Sequence, residues 1–359
     1  MIKKIQKKIK PIYQFYILLL LLPVFQSFSS QKNNVNEQVE KYPIEVSVKL
    51  RINKIYNINS VDETYQIDGY LIYSWHDEDV KFKTKNGLVA SKTYQKERIN
   101  ELKNKMWIPT FELINIQGSG DTPNIRIDVY SNGKINYEKR FFETFSSKMD
   151  FIKFPFDTQS YLISIEAFGS NSNELVFKDP KFFVEGEANH YIAEDWEFIS
   201  KKTSIIKKKY QFMHDDIDSD KNLYSRVTFE VTAKRLPGYY QWQVLFPLLI
   251  IILASFAIFW IEDFGTQIGV GFTLMLTVVA FNFYSASILP KLTYNTFIEY
   301  VIIVGYIFIF LGIIAVIINN RVNRGKKKKA KVPLLIYFRY LFPLFYGLVM
   351  LILYMKLIR

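Results

Sequence analysis

The chain has 359 residues, no cysteine, and 46 basic against 34 acidic residues, for a formal charge of +12. That length holds about two domains, and the missing thiols exclude disulfides and thiolate metal sites. His76, His190 and His214 are too scattered to suggest a zinc site.

The charge excess is confined to two segments. Lys3, Lys4, Lys7, Lys8 and Lys10 supply five charges, and Arg321, Arg324, Lys326, Lys327, Lys328, Lys329 and Lys331 supply seven. Neither segment holds an acid, and the remaining chain balances 34 bases against 34 acids. Both clusters flank apolar runs, so they read as membrane topology signals. No basic face interleaved with aromatics supports a nucleic-acid partner.

Residues 1–30 read as a secretory signal: a lysine-rich start, an apolar run over 12–25, then Ser27, Ser29 and Ser30. A retained anchor is the alternative. Either way, residue 31 onward lies outside the cytoplasm.

Residues 31–236 read as one β domain. Ile44, Val46, Val48, Leu50 and Ile52 alternate with polar neighbours, as do Ile125, Ile127 and Val129, and later Val227, Phe229 and Val231. Turn signals recur at Asp68-Gly69, Asn86-Gly87, Asn132-Gly133 and Gly169-Ser170-Asn171. A weak helical period shows only near 94–105. Many short strands argue for an all-β, immunoglobulin-like sandwich.

Residues 237–359 read as an all-α transmembrane bundle with spans at about 239–261, 266–288, 297–318 and 334–355. With the β domain outside, the seven-charge cluster between the third and fourth spans falls in the cytoplasm, as the positive-inside rule requires. Trp242 and Trp260 sit near span ends, where amphipathic rings prefer to be.

The second span is unusual. No charge occurs between Asp263 and Lys291, yet Thr266, Gln267, Gly269, Gly271, Thr273 and Thr277 stud the run. A spanning helix with a polar, small-residue stripe hides it from lipid. The stripe either packs on neighbouring helices or faces water.

Two motifs make the layout specific. Phe154-Pro155-Phe156-Asp157-Thr158-Gln159 resembles the signature loop of the pentameric ligand-gated ion channels, the Cys-loop receptor superfamily. Ser147 and Tyr161 stand where animal members carry cysteines. Phe272-Thr273-Leu274-Met275-Leu276-Thr277-Val278-Val279-Ala280, followed by Ile288-Leu289-Pro290-Lys291, looks like the family's pore helix and the linker after it. Ile52-Asn53-Lys54-Ile55-Tyr56, Trp107-Ile108-Pro109 and Gly238-Tyr239-Tyr240 fit as well. The likeness runs from about residue 42 to the C-terminus and is closest to the bacterial amine-gated channel ELIC.

The resemblance implies a homopentamer in the cell (inner) membrane. It places Gly265, Gly269, Thr273, Leu276, Ala280 and Phe283 on the pore side. These positions step by three or four, which is one helical face. An apolar ring at Leu276 or Phe283 could gate by dewetting. Cation-selective relatives usually carry Glu one step after Gly265, where this chain has Thr266. Glu262 and Asp263 remain nearby, as a cation-attracting ring or as a solvated cap of the second helix. Monovalent cations are the expected permeant ions.

The same likeness places an agonist site between subunits. Glu112, Glu166 and Phe168 fall on one face, Tyr210 and Tyr224 on the flanks of a capping loop, and Tyr70 on the neighbour's face. Aromatic faces and carboxylates suit a small amine. Arg51 and Glu138 depart from the amine-gated pattern, and mutual neutralisation would leave the box usable. At the membrane surface Phe154, Pro155, Phe156 and Asp157 are expected to meet Arg235 and the Pro290 linker, coupling agonist to pore. An ordinary surface ion pair between Asp157 and Arg235 is the alternative.

No nucleophile–histidine arrangement, phosphate loop or metal spacing supports an enzyme, and no cofactor is expected. The competing function is a non-conducting, membrane-anchored ligand-binding receptor. Membrane lipid is the remaining expected partner.

Overall fold

The computed structural model describes residues 43–84, 88–103, 105–118, 121–184, 192–210, 223–325 and 334–358. The expected signal, residues 1–30, and the lysines at 326–329 and 331, expected in the cytoplasm, lie outside the described residues.

Among the described residues, ten strands form two sheets. They are β1 Ile44–Asn59, β2 Thr64–His76, β3 Ser91–Gln95, β4 Glu112–Leu113 and β5 Asp121–Tyr130, then β6 Lys134–Ser146, β7 Thr158–Glu166, β8 Leu175–Val184, β9 Trp196–Lys209 and β10 Leu223–Arg235. A short helix, α1 Glu97–Lys103, follows β3, where the weak helical period lies. One sheet runs β3-β5-β6-β2-β1-β8 and the other β4-β7-β10-β9. All pairings are antiparallel except β1 with β8.

Alternation along β1 does what its sequence dictates. Val46, Val48, Leu50 and Ile52 are fully buried between the sheets, while Lys49 and Arg51 point outward. Tyr65 ties the sheets together: its hydroxyl donates to Leu162 O and accepts from Leu162 N, both at 2.7 Å. The β5–β6 turn requires its glycine, because Gly133 sits at φ +87 and a Cβ there would lie 2.5 Å from Asp77 O.

Among the described residues beyond β10, four helices are long and apolar enough to cross a membrane: α2 Gly238–Trp260, α3 Phe264–Ala286, α4 Phe297–Asn323 and α5 Leu334–Leu357. α4 is central, burying eleven residues from Phe297 to Val316, and it starts on a capping box of Thr296 and Glu299. α5 buries only Tyr346 and exposes Leu344, Leu348, Leu351 and Ile352, an apolar face suited to hydrocarbon.

The last turn of α2 tightens at Ala257–Trp260, and its end carbonyls need donors. Gln267 Nε2 donates to Ile258 O and Ile261 O at 2.9 and 2.8 Å. Arg339 Nε of α5 donates to Phe259 O at 3.1 Å, and its guanidinium lies 5.4 Å from the Trp260 ring. Two polar residues inside spans thus seal one helix end.

Candidate functional site

The stripe on α3 divides into two faces. Gln267, Gly271, Val278 and Ser285 are buried in the chain's own bundle. Gly265, Gly269, Thr273, Leu276, Ala280 and Phe283 are all exposed, Leu276 at 68% and Phe283 at 74%. At about 100° per residue these two sets lie on opposite sides of the helix.

Gly271 is a packing residue: a Cβ there would lie 2.7 Å from Ile313 Cγ1 of α4. Gly269 meets nothing within 4 Å. The hydroxyls on the exposed arc are internally satisfied, with Thr273 Oγ1 donating to Gly269 O and Thr277 Oγ1 to Thr273 O, both at 2.9 Å. The bundle-facing part of the stripe is glue, and the other part packs on no other helix among the described residues.

At the start of α3, Asp263 is a helix cap. Its carboxylate accepts from Thr266 N at 2.7 Å and Thr266 Oγ1 at 2.8 Å. The Thr266 backbone N–H, helped by the Thr266 hydroxyl, holds the Asp263 carboxyl below the usual carboxylate range. Glu262 beside it is exposed.

In the β domain, strand register brings Glu112, Glu166 and Arg226 into one row across β4, β7 and β10. Arg226 Nε pairs with Glu166 Oε2 at 2.8 Å, with side chains 17% and 3% exposed. The Tyr210 hydroxyl donates to Glu166 Oε2 at 3.1 Å and accepts from Arg226 at 2.5 Å. Tyr224 meets Tyr210 edge to face at 5.7 Å. Phe168, just past β7, is 49% exposed. The predicted aromatic and acidic residues therefore gather at one end of this sheet. Sequence reasoning missed Arg226, which occupies the cation position beside Glu166. The signal was available: on a strand, Arg226 must share the outward face of Tyr224 two residues earlier.

Tyr70, Arg51 and Glu138 lie apart from that group, on the outward face of the six-stranded sheet. Arg51, Tyr70 and Arg140 form one register row. The Arg51 and Arg140 guanidinium carbons lie 5.8 and 5.6 Å from the Tyr70 ring centre. Glu138 sits in the next row, opposite Arg126 of β5, and β2 stands between it and Arg51. Tyr70, Arg126, Glu138 and Arg140 share the wall of a cavity of about 440 Å³.

The membrane-side loop of the sandwich is built around Asp157 and Arg235. Arg235 Nε and a terminal nitrogen reach the two carboxylate oxygens at 2.8 and 3.2 Å, with both side chains essentially buried. Gln159 Nε2 donates to Asp157 Oδ2 at 2.6 Å, and Arg235 also donates to Ser60 Oγ at 3.1 Å. Burial opposes the Arg235 charge, but the Asp157 carboxylate more than offsets it and raises the guanidinium above its ordinary value. Trp196, Phe154 and Tyr240 rings surround the cation at 4.2, 5.0 and 5.7 Å. This is no surface ion pair.

The loop also touches three helices. Phe154 meets Tyr240 of α2 at 4.7 Å and Phe156 meets Phe297 of α4 at 5.7 Å. Phe297 N donates to Ile152 O at 3.0 Å, and Phe151 N to the Tyr294 hydroxyl at 3.2 Å. Lys153 Nζ donates to Ile358 O, just past the end of α5, at 3.2 Å. The α3–α4 linker thus meets the loop through Tyr294 and Phe297, beyond the half-buried Pro290. Ser147 Oγ, at one of the two cystine-like positions, donates to the carbonyl of Ser160, one residue before the other position at Tyr161, at 2.9 Å, so a hydrogen bond closes the base of the loop.

A sandwich joined through such a loop to four helices long and apolar enough to cross a membrane has the layout of a multi-pass membrane receptor. Residues 19–237 match the family described as the neurotransmitter-gated ion-channel ligand binding domain. The chain belongs to the pentameric ligand-gated ion channel family, which is not enzymatic. It is 24% identical over 278 residues to a proton-gated ion channel of Gloeobacter violaceus, covering 77% of this chain and 73% of that one. It is 24% identical over 294 residues to the gamma-aminobutyric acid receptor subunit rho-1 of Mus musculus. It is 25% identical over 298 residues to the subunit beta-4 of that receptor type in Gallus gallus. In both comparisons 80% of this chain is covered, but only 58% of the relative.

Proposed function

We propose that five copies form an agonist-gated, cation-conducting channel in the cell (inner) membrane, with α3 lining the pore. One observation carries the reading: Gly265, Gly269, Thr273, Leu276, Ala280 and Phe283 are all exposed in the single chain, opposite the face that packs on α4. An exposed arc of glycine, threonine and alanine is suited to close approach of like helices about an axis rather than to lipid, and a non-conducting receptor has no use for it. Around a fivefold axis the arc becomes stacked rings, with hydroxyls at Thr273 and apolar constrictions at Leu276 and Phe283. Glu262 and Asp263 lie at the cytoplasmic mouth and favour cations.

The agonist is a small amine held between subunits. Glu112, Phe168, Tyr210 and Tyr224 offer the ammonium a carboxylate and ring faces. Of the two guanidiniums beside Tyr70, that of Arg140 is already engaged by the Asp68 carboxylate at 3.3 Å. Agonist binding favours the open form over the closed one, and the Asp157–Arg235 loop conveys the bias to α2 and α4.

Voltage-clamp recording from cells expressing the chain tests this. Simple amines, ω-amino acids and pH steps are applied in turn under a NaCl gradient. Agonist-evoked current reversing near the sodium potential is expected. Reversal near the chloride potential would overturn cation selectivity, and silence to every amine would overturn the agonist class.

A further inference from the structure

Strand β8 carries one residue too many. Its register against β1 runs from Ser47 opposite Lys178 to Lys49 opposite Lys181, so three steps along β8 match two along β1. The surplus makes a bulge over Asp179 and Pro180. Asp179 sits at φ +48, in the left-handed region where residues other than glycine are uncommon. Ser47 Oγ donates to its carbonyl at 3.3 Å and pins the bulge.

The bulge decides where Lys181 points. Leu175 and Phe177 face the sandwich interior, so strict alternation would send 181 inward after them. The extra residue reverses the phase. Phe182 turns inward to meet Phe229 at 5.3 Å, and Lys181 joins Lys49 on the outward face of the six-stranded sheet. A strained residue is thus kept at the point that sets two lysines side by side, where like charges repel. Lys178 is held by both Glu45 carboxylate oxygens, at 2.9 and 2.8 Å. Among the described residues, Lys49 and Lys181 make no salt bridge.

The three lysines share the wall of a cavity of about 490 Å³ with Lys134 of β6. The same wall carries Glu45 and Asp179, so four ammonium groups face two carboxylates. A concave surface with a surplus of one sign concentrates ions of the other. Lysine binds phosphate as a compact point charge. The cations come from three strands and the hollow is larger than one phosphate group needs, so a chain of linked phosphates fits it better than a single one.

We propose that this hollow is a binding site for a linear polyphosphate, either inorganic or the phosphate chain of a nucleotide. Lys49 and Lys181 bind its central oxygens, with Lys178 and Lys134 on either side. The site is separate from the cavity beside Tyr70 and from α3, and it stands whether or not the chain conducts ions.

Inorganic tripolyphosphate is the probe, titrated calorimetrically into the purified full-length protein in metal-free buffer at fixed ionic strength. Orthophosphate and ATP are titrated alongside. Saturable tripolyphosphate binding is expected, tighter than that of orthophosphate by roughly tenfold or more. ATP binding as tight as tripolyphosphate supports the site with a nucleotide as its ligand, and weaker ATP binding supports it with the inorganic chain. Lys49→Gln and Lys181→Gln are each expected to weaken tripolyphosphate binding by roughly tenfold, and Lys181→Arg to retain it. Glu45→Gln, which releases Lys178, is expected to tighten it. Lys202→Gln, opposite Glu230 on the other sheet, is the control and leaves it unchanged. Absence of saturable binding, equal affinity for tripolyphosphate and orthophosphate, or the same loss in Lys202→Gln as in Lys181→Gln would overturn the site.

Discussion

Asp157 and Arg235 form a bidentate ion pair at 2.8 and 3.2 Å, with side chains only 1% and 2% exposed, at the junction of sandwich and spanning helices. Strand register locks it further, since Arg235 N donates to Asp157 O at 3.0 Å. Three aromatic rings and the Gln159 amide leave water little access.

Removing one partner therefore strands a buried charge, which costs about 3–5 kcal/mol. Asp157→Asn is expected to lower thermal stability and to move the agonist response to higher concentration. Asp157→Asn combined with Arg235→Met is expected to recover stability relative to Asp157→Asn alone, because a well-packed apolar replacement has no charge to strand. Thermal unfolding and dose–response curves on the parent and both variants check both. If the pair serves stability alone, the agonist response of Asp157→Asn is unchanged.

Asp263 separates two roles that one carboxylate can play. As cap it accepts from Thr266 N and Thr266 Oγ1, and as charge it would stand at the cytoplasmic mouth of the proposed pore. Asn is as good a cap as Asp. Asp263→Asn is expected to keep stability and lower single-channel cation conductance at low salt, whereas Asp263→Ala loses both. The pH dependence has a definite sign. A carboxyl held below its ordinary value contributes above the unfolded-state value and loses that contribution as pH falls through the folded one. The cap and its charge therefore persist through mild acid and fail only below the usual carboxylate range.

Arg226 is bound to Glu166 and Tyr210, and in the proposed site it takes the place of the agonist ammonium. Arg226→Gln removes the guanidinium and leaves an amide that can still donate to Glu166. Simple primary amines are expected to act at roughly tenfold lower concentration, about 1.4 kcal/mol, because their charge replaces the one removed. Dose–response curves for a simple amine and an ω-amino acid, on parent and variant, measure the shift. An equal change for both ligands would mean that Arg226 only supports the fold.

What the sequence reveals depends on periodicity, and what it conceals depends on depth. The outward face of α3 is legible because 3.6-residue spacing fixes which residues share a side, whatever they pack against. The sandwich is legible because Val46, Val48, Leu50 and Ile52 alternate. The Asp157–Arg235 contact follows from the resemblance, but its burial does not, since no local pattern says that Trp196 and Tyr240 will cover a salt bridge. Gln267 looks like part of a wet stripe until its amide is seen sealing the end of α2. Arg226 reads as a surface charge until register puts it opposite Glu166.

Gly269 and Gly271 decide whether the stripe is glue or wall, because they are two residues apart on opposite sides of α3. A methyl group at 271 would collide with Ile313 at 2.7 Å. Gly271→Ala is therefore expected to destabilise the bundle by about 1–3 kcal/mol through overpacking. A methyl group at 269 meets nothing in its own chain, and alanine favours a helix over glycine by up to about 1 kcal/mol. Gly269→Ala should leave thermal stability unchanged or raised. Five added methyl groups on a pore axis narrow the water column, so single-channel conductance should fall in Gly269→Ala. Bilayer recording and thermal unfolding of both variants separate the cases. A Gly269→Ala channel with parental conductance would mean that this face of α3 touches no permeating ion.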